Sequence, residues 1–221
     1  MADGRAPGGP TWQNPVEPTA PKGDPVLGRR LAHWALRTRG WRLAGRAPDL
    51  PKYVIVFAPH TCNWDLLLGM LAARGYGIRP SWLGKSSIFR WPVAGFLRRI
   101  GGLPVHRDHH EGLVGQVVAA FAAADSMVLG LTPEGTRSRT PCWKSGFYRI
   151  ALAAGVPIVL ASMDRRSRLI TIGPSVLPTG DAGCDMDRIR AFYAGTQGIH
   201  PEKASPVRLS EEDVLPGEPP G

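Results

Sequence analysis

Short apolar runs along the chain alternate with segments whose apolar residues recur every three or four positions. Runs of this kind, rich in β-branched and aromatic side chains, are typical of buried strands, and the longer period is typical of helices. The apolar runs lie at 53–57, 78–83, 103–107, 127–131, 156–162 and 169–172, and the helical patterns at 66–71, 89–100, 111–124, 147–154 and 185–193. This alternation predicts an α/β domain with one mixed, mostly parallel sheet flanked by helices.

The two ends of the chain differ in composition from the middle. Residues 1–25 contain six prolines and four glycines, which predicts a disordered tail. Residues 206–221 are polar, acidic and proline-rich, which predicts a flexible tail at the carboxyl end. The folded domain is therefore expected to span residues 26–205.

The first segment of this domain, 26–39, has the pattern of an amphipathic helix. Leu27, Leu31, Trp34 and Thr38 share one helical face, and arginines occupy much of the remaining surface. A basic helix of this kind suits an anionic membrane surface, and it equally suits docking on the protein core. The pattern leaves both alternatives open.

The charge balance narrows the choice of partners. Lysine and arginine outnumber the acidic residues and give a formal net charge of +9, which favours phosphate-bearing substrates, an anionic membrane or nucleic acid. The three cysteines have no paired spacing, so a reducing compartment is expected. No apolar run approaches the roughly 18 residues that a membrane-spanning helix needs. We therefore expect a cytoplasmic protein, peripheral on the inner face of the membrane.

The first candidate site follows the apolar run at 53–57. His60 would lie at the carboxyl end of that strand and Asp65 in the first turn of the next helix, with Thr61 or Asn63 as the N-cap. Ligands bind at this end of the strands in open α/β sheets. A carboxylate folded back on the imidazole would orient it as a general base. The alternative is a structural pair, in which His60 caps the backbone and Asp65 complements the helix dipole.

The second candidate site is the polar loop that follows the apolar run at 127–131. Gly135 permits a tight turn, Arg137 offers a planar fork that matches phosphate, and Thr136 and Ser138 add hydroxyl donors. Glu134 could orient an arginine or bind a substrate hydroxyl. The alternative is an ordinary polar surface loop.

Taken together, these stretches resemble the glycerophospholipid acyltransferase family, typified by lysophosphatidate acyltransferase. The shared features are a His and an Asp separated by four residues, at His60 and Asp65, and the Glu-Gly-Thr-Arg-Ser sequence at 134–138. The stretch at 155–159 resembles the family's fourth block. Its second block is matched by Lys85, Phe89, Pro92, Gly95, Gly102 and Arg107. Each block is weak alone, but their joint order makes the match specific.

The resemblance implies an acyltransferase-like fold and transfer of a fatty acyl group from acyl-CoA or acyl carrier protein to a lysophospholipid. The expected acceptor is 1-acylglycerol-3-phosphate, in phospholipid biosynthesis, and neither a cofactor nor a metal is expected. His60 would be the general base and Asp65 would orient it. The residues expected to bind the acceptor and its phosphate are Arg107, Glu134, Gly135, Thr136 and Arg137, with Lys85, Asn63 and Ser138 in support.

Other functions stay open at this point. The acceptor could be another lysolipid, such as an amino-acid lipid or a glycolipid. The net charge of +9 also suits a nucleic-acid-binding protein, but the arginines are scattered and no zinc-finger or aromatic RNA-binding pattern is present, so no nucleic acid is expected. A catalytically silent lipid-binding module is disfavoured by the complete His60 and Asp65 pair. The cluster of His106, His109 and His110 fits a solvated turn better than a metal site. The sequence does not predict an oligomeric state.

Overall fold

The computed structural model of the protein describes residues 25–105 and 112–213. The predictions for residues 1–24 and 214–221, for Arg107 and for the histidine cluster at 106–110 lie outside the described residues. The helices are α1 (Pro25–Thr38), α2 (Asn63–Tyr76), α3 (Ala94–Arg99), α4 (Gly112–Ala123), α5 (Gly146–Ala154) and α6 (Ala182–Tyr193). The strands are β1 (Arg42–Ala44), β2 (Lys52–Ala58), β3 (Trp82–Lys85), β4 (Gly102–Val105), β5 (Met127–Leu131), β6 (Ile158–Asp164) and β7 (Leu169–Val176).

The described part of the chain forms a five-stranded sheet in the order β1-β7-β6-β2-β5. Strand β2 pairs in parallel with β5 on one side and with β6 on the other, and β1 is parallel to β7. Strands β6 and β7 are antiparallel, and β3 and β4 form a separate parallel pair. The predicted α/β domain with a mixed, mostly parallel sheet is therefore confirmed.

Helices cover both faces of this sheet because its central strands are apolar on both sides. Val54, Val56 and Ala58 of β2 face the larger core, which contains side chains of α4, α5 and α6. Tyr53 and Ile55 face the opposite core, which is covered by α2. Strands buried in this way read as nearly continuous apolar runs, which is the pattern that the sequence shows.

Two elements differ from their predicted positions. The strand predicted at 78–83 begins only at Trp82, because Ile78 follows the C-cap of α2 and is tied back to that helix. There Gly77 adopts a φ of 78°, and the Ile78 amide donates back to a carbonyl of the helix. The helix predicted at 89–100 is shortened to α3, since Pro92 lacks a backbone donor and the residues around it form turns.

Strand β1 was not predicted from the sequence. It has three residues and pairs along one side with β7, at the edge of the sheet. A segment of that length is too short for an alternating pattern to stand out from a connecting loop.

Helix α1 docks on the protein through a face other than the apolar one predicted for it. Ala32 and Leu36 are buried, whereas Leu27 and Leu31 are each 56% exposed and Trp34 is 66% exposed. The helix packs on α2 and keeps an apolar stripe in contact with solvent. Within residues 25–105 and 112–213, no helix is both long enough and apolar enough to cross a bilayer.

The prediction of a flexible tail from residue 206 is wrong for residues 206–213. Leu209 is fully buried in the larger core, and its backbone forms a bridge with Trp143. Just before it, Ser205 Oγ accepts a hydrogen bond from the Thr140 amide at 2.9 Å. The polar composition of this segment concealed two apolar residues, Val207 and Leu209, that pack on the core, and the chain returns to the loop that follows β5.

Candidate active site

The parallel pairing of β2 with β5 brings the two predicted stretches side by side. Val56 lies opposite Leu131 in the register of the sheet. His60 follows shortly after Val56, and Glu134 follows shortly after Leu131. Both loops therefore leave the sheet at the carboxyl ends of these two strands. The carboxyl ends of parallel strands are where open α/β sheets bind ligands.

The carboxylate of Glu134 joins the two loops. Its Oε1 accepts a hydrogen bond from the His60 amide at 2.8 Å, and the residue is 1% exposed. Burial raises the pKa of the Glu134 carboxyl, and the hydrogen bond from His60 opposes that rise. Among the described residues, its Oε2 is buried without a hydrogen-bond partner. Glu134 therefore positions His60, and its predicted role in acceptor binding stays a prediction.

Asp65 is fully buried and is held by its own loop. Its Oδ2 accepts hydrogen bonds from the Thr61 amide, from Thr61 Oγ1 at 3.0 Å and from the Cys62 amide at 2.8 Å. The N-cap of α2 is Cys62, and the prediction of Thr61 or Asn63 is wrong. A carboxylate at the third helical position reaches back to the N-cap amide, which fixes where this helix begins. Thr61 Oγ1 also accepts a hydrogen bond from the His200 amide at 3.1 Å.

His60 faces this carboxylate without a hydrogen bond to it. Its Nδ1 lies 4.0 Å from Asp65 Oδ2 and has no hydrogen-bond partner in the described parts of the chain. Contacts of this kind are often long before substrate binds and tighten in the complex. The structure thus places the predicted pair together, with a small side-chain rotation needed to close the contact.

The surroundings of His60 favour its neutral form. Burial lowers the pKa of the imidazole below its ordinary value of 6.5, Asp65 raises it, and Arg137 lowers it again. The imidazole is therefore neutral at pH 7, which is the state that a general base requires.

The side chain of Arg137, in the loop after β5, reaches the start of α2. Its Nη1 donates a hydrogen bond to Asn63 Oδ1, and the side chain is exposed, so the guanidinium is placed beside the His60 loop and remains accessible to an anion. Gly135 adopts a φ of 63°, which provides the predicted tight turn. The Ser138 amide donates to Thr136 Oγ1 at 3.3 Å, so these two residues shape the loop.

Two other predicted residues have no described contact with this cluster. Lys85 is exposed at the end of β3, in the two-stranded sheet, and no contact among the described residues joins it to His60 or Asp65. Arg107 lies outside the described residues. Their roles stay predictions.

The sequence reading missed the contribution of Thr61 and Cys62 to holding Asp65. The available signal was their position between the His and the Asp, with side chains short enough to bond locally. Cys62 Sγ lies 3.3 Å from Asp65 Oδ1, and burial raises the pKa of the Cys62 thiol. Cys62 is thus a protonated partner of the carboxylate and not a nucleophile.

An apolar cavity of about 580 Å³ adjoins the loop after β5. It is bounded by α2, by residues of β2, β5, β6 and β7 in the main sheet and by the two-stranded sheet, and Pro133 and Gly135 also line it. Because these two residues flank Glu134, the cavity lies next to the contact with His60. Its volume is within the range of pockets that hold small ligands. Apolar side chains in its wall include Phe57, Leu66, Met70, Leu83 and Phe147.

Titration of the His60 imidazole tests these electrostatics directly. We expect its pKa, followed by NMR and assigned with the His60→Gln variant, to lie below 6.5. Asp65→Asn should lower the pKa further because a nearby negative charge is lost, and Arg137→Gln should raise it because a positive charge is lost. A wild-type pKa above 6.5 would mean that the carboxylate outweighs burial, contrary to this account.

Comparisons with known proteins bear on this arrangement. The family model described as Acyltransferase matches residues 46–164, a segment that contains both loops. Among solved structures, the fold is similar to that of the 1-acyl-sn-glycerophosphate (LPA) acyltransferase PlsC from Thermotoga maritima. That match has a TM-score of 0.50 and 16% sequence identity, and it covers 71% of this chain and 70% of that chain. A comparison with curated proteins gives no match. Since the family model spans more than half of the sequence, the chain belongs to the Acyltransferase family.

Proposed function

We propose that the protein transfers a fatty acyl group from a thioester donor, acyl-CoA or acyl carrier protein, to a hydroxyl of a lysophospholipid. The observation that carries this proposal is that three groups lie together at the carboxyl ends of β2 and β5. These are the His60 imidazole, the buried Asp65 carboxylate and the exposed Arg137 guanidinium, with an apolar cavity beside them. We propose 1-acylglycerol-3-phosphate as the acceptor, and another lysolipid with an anionic head group as the alternative.

In this mechanism His60 removes the proton of the acceptor hydroxyl as its oxygen attacks the thioester carbonyl. The His60 ring turns toward Asp65, whose carboxylate keeps Nδ1 protonated and leaves Nε2 to accept the proton. The tetrahedral intermediate then collapses, the carbon–sulfur bond breaks, and the departing thiolate takes the proton from the imidazolium. General-base assistance of this kind is typically worth about 10²- to 10⁴-fold in rate.

The acceptor would be held at its two chemically different ends. Arg137 offers a planar fork to the phosphate, and the cavity offers an apolar wall to a fatty chain. Asn63 supports the guanidinium from the first residue of α2. Binding at both ends would place the acceptor hydroxyl between them, near His60, which is the positioning that makes general-base catalysis effective.

Replacing His60 tests the mechanism. We expect His60→Ala to lower the rate of acyl transfer from a labelled acyl thioester to lysophosphatidate by about 10²- to 10⁴-fold. The fold should persist, because the imidazole Nδ1 makes no hydrogen bond among the described residues and the bond to Glu134 is made by the backbone amide, which alanine keeps. Circular dichroism and thermal unfolding provide the control. Full activity in a folded His60→Ala variant would exclude His60 as the base.

Replacing Arg137 tests acceptor binding. A charge-assisted contact is worth about 1.5–3 kcal/mol, so Arg137→Ala should raise the acceptor KM roughly ten- to hundredfold and change kcat less. Arg139→Ala, in the same loop and also exposed, is the matched control and should change the acceptor KM less than threefold. Equal effects of the two substitutions would mean that the acceptor responds to the total positive charge of the loop and not to a specific contact with Arg137. A panel of lysolipids with phosphate, carboxylate or neutral head groups would then rank the acceptors.

We also propose that the protein works at the cytoplasmic face of an anionic membrane. Helix α1 is attached through Ala32 and Leu36, and its opposite apolar stripe of Leu27, Leu31 and Trp34 is exposed. Further exposed apolar side chains occur on α2, which packs against α1, and around α3. Arginines on the surface of α1 would add electrostatic attraction to anionic lipids.

Vesicle flotation tests this surface. The protein should float with phosphatidylglycerol vesicles and much less with phosphatidylcholine vesicles, and added salt should weaken the association. Trp34→Ser and Leu31→Ser should each reduce binding, because apolar area entering the lipid interface is lost. Leu177→Ser is the matched control, since Leu177 is 60% exposed and follows Val176, which pairs with the first residue of β6, at the opposite end of the strands from His60. Equal loss in the control would argue against a defined membrane face.

A further inference from the structure

The cavity beside the loop has one charged residue in its wall among the described residues, and that residue is Lys144. The rest of the described lining is dominated by apolar side chains and backbone. A single cation at the rim of an apolar space is the complement of an amphiphile with a fatty chain and one anionic group. Arg137 is not part of this lining, so Lys144 is a second and separate cation on the same loop.

The position of Lys144 is fixed by the loop that carries Glu134. Its amide donates a hydrogen bond to Pro133 O at 2.8 Å, and the preceding residue, Trp143, is buried in the core. A Cβ atom on Gly135 would lie 2.8 Å from Lys144 Cδ and 3.0 Å from its Nζ. The absence of a side chain at Gly135 leaves the space that the end of the Lys144 side chain occupies.

Within residues 25–105 and 112–213, the ammonium group of Lys144 has no partner. Among the described residues it makes no side-chain hydrogen bond and no ion pair, and the residue is exposed. Two explanations are distinct. The alkyl stem could simply cover apolar surface while the charge reaches water, or the charge could bind an anion that enters with a ligand. The first explanation requires only the stem, and the second requires the charge.

We propose that Lys144 is an anion-binding residue at the mouth of the cavity, where its ammonium receives a phosphate group of a ligand whose chain lies in the cavity. This inference rests on the proposed function for the class of ligand, a fatty-chain phosphate or the phosphate-bearing donor. The two sources share the same chemistry. They differ in whether the phosphate is attached directly to the chain or belongs to the carrier.

Binding measurements without turnover separate these possibilities. Calorimetric titration of the full chain with dodecyl phosphate, below its micellar concentration, and with free coenzyme A would be compared for wild type, Lys144→Met and Lys144→Arg. Methionine keeps an unbranched apolar stem and removes the charge, whereas arginine keeps the charge. We expect Lys144→Met to weaken one of the two ligands by about tenfold and Lys144→Arg to retain binding within threefold. Loss for dodecyl phosphate identifies the acceptor as the source, and loss for coenzyme A identifies the donor.

The controls show whether the ammonium charge of Lys144 or its alkyl stem is responsible for an effect on binding. Binding of neutral 1-dodecanol should be unchanged in Lys144→Met, and an equal loss there would overturn the proposal in favour of the stem. Lys52→Met, at the start of β2 and about 20 Å from the site end of that strand, should not change either titration. Unchanged binding of both phosphate ligands in Lys144→Met would also overturn the proposal. Intact phosphate binding through Lys144 in a protein without acyl-transfer activity would instead contradict the proposed function alone.

Discussion

The hydrogen bond from the His60 amide to Glu134 is the contact on which the site depends, because it joins loops that are 74 residues apart in the sequence. Parallel pairing of β2 with β5 brings the loops to the same end of the sheet, but this proximity does not fix their mutual orientation. The buried carboxylate does so, since an unpaired amide in this position would cost roughly 1–3 kcal/mol. The candidate base and the anion-binding loop thus behave as one unit.

A second balance sets the protonation state of the site. Asp65 accepts four hydrogen bonds from Thr61 and Cys62, three at Oδ2 and one at Oδ1, so part of its negative charge is already compensated before it meets His60. Asp65 raises the pKa of the imidazole, whereas burial of the ring and the charge of Arg137 lower it. The imidazole consequently stays neutral while keeping a carboxylate within reach. That combination suits a base that must first accept a proton and then be stabilised as a cation.

The sequence was sufficient for the layered architecture and for the pairing of His60 with Asp65, because both depend on local pattern. Apolar runs report burial of a strand, and the spacing of the pair reports a loop followed by a helix. Contacts between residues that are far apart in the sequence could not be predicted from local pattern. The bond of Glu134 to the His60 amide follows from the register of β2 and β5, and the burial of Leu209 follows from a core built by other elements.

Helix α1 shows a related limit. Its pattern correctly indicated an amphipathic helix, but Ala32 and Leu36 form the docking face, and Leu36 packs in one apolar cluster with Leu68 and Ala72 of α2. The more conspicuous face of Leu27, Leu31 and Trp34 is exposed. Periodicity identifies a face that is apolar, and it does not say which neighbour that face will meet.

The attachment of Thr140 to Ser205 bears on when the protein becomes competent during its synthesis. The two residues are separated by 65 positions, and Leu209, which anchors the same segment, is made later still. At typical rates of translation, this separation corresponds to roughly 3 to 13 seconds of elongation. A nascent chain can therefore pair β2 with β5 well before the loop carrying Arg137 has its final support, and the site is completed only after Ser205 and Leu209 have been made.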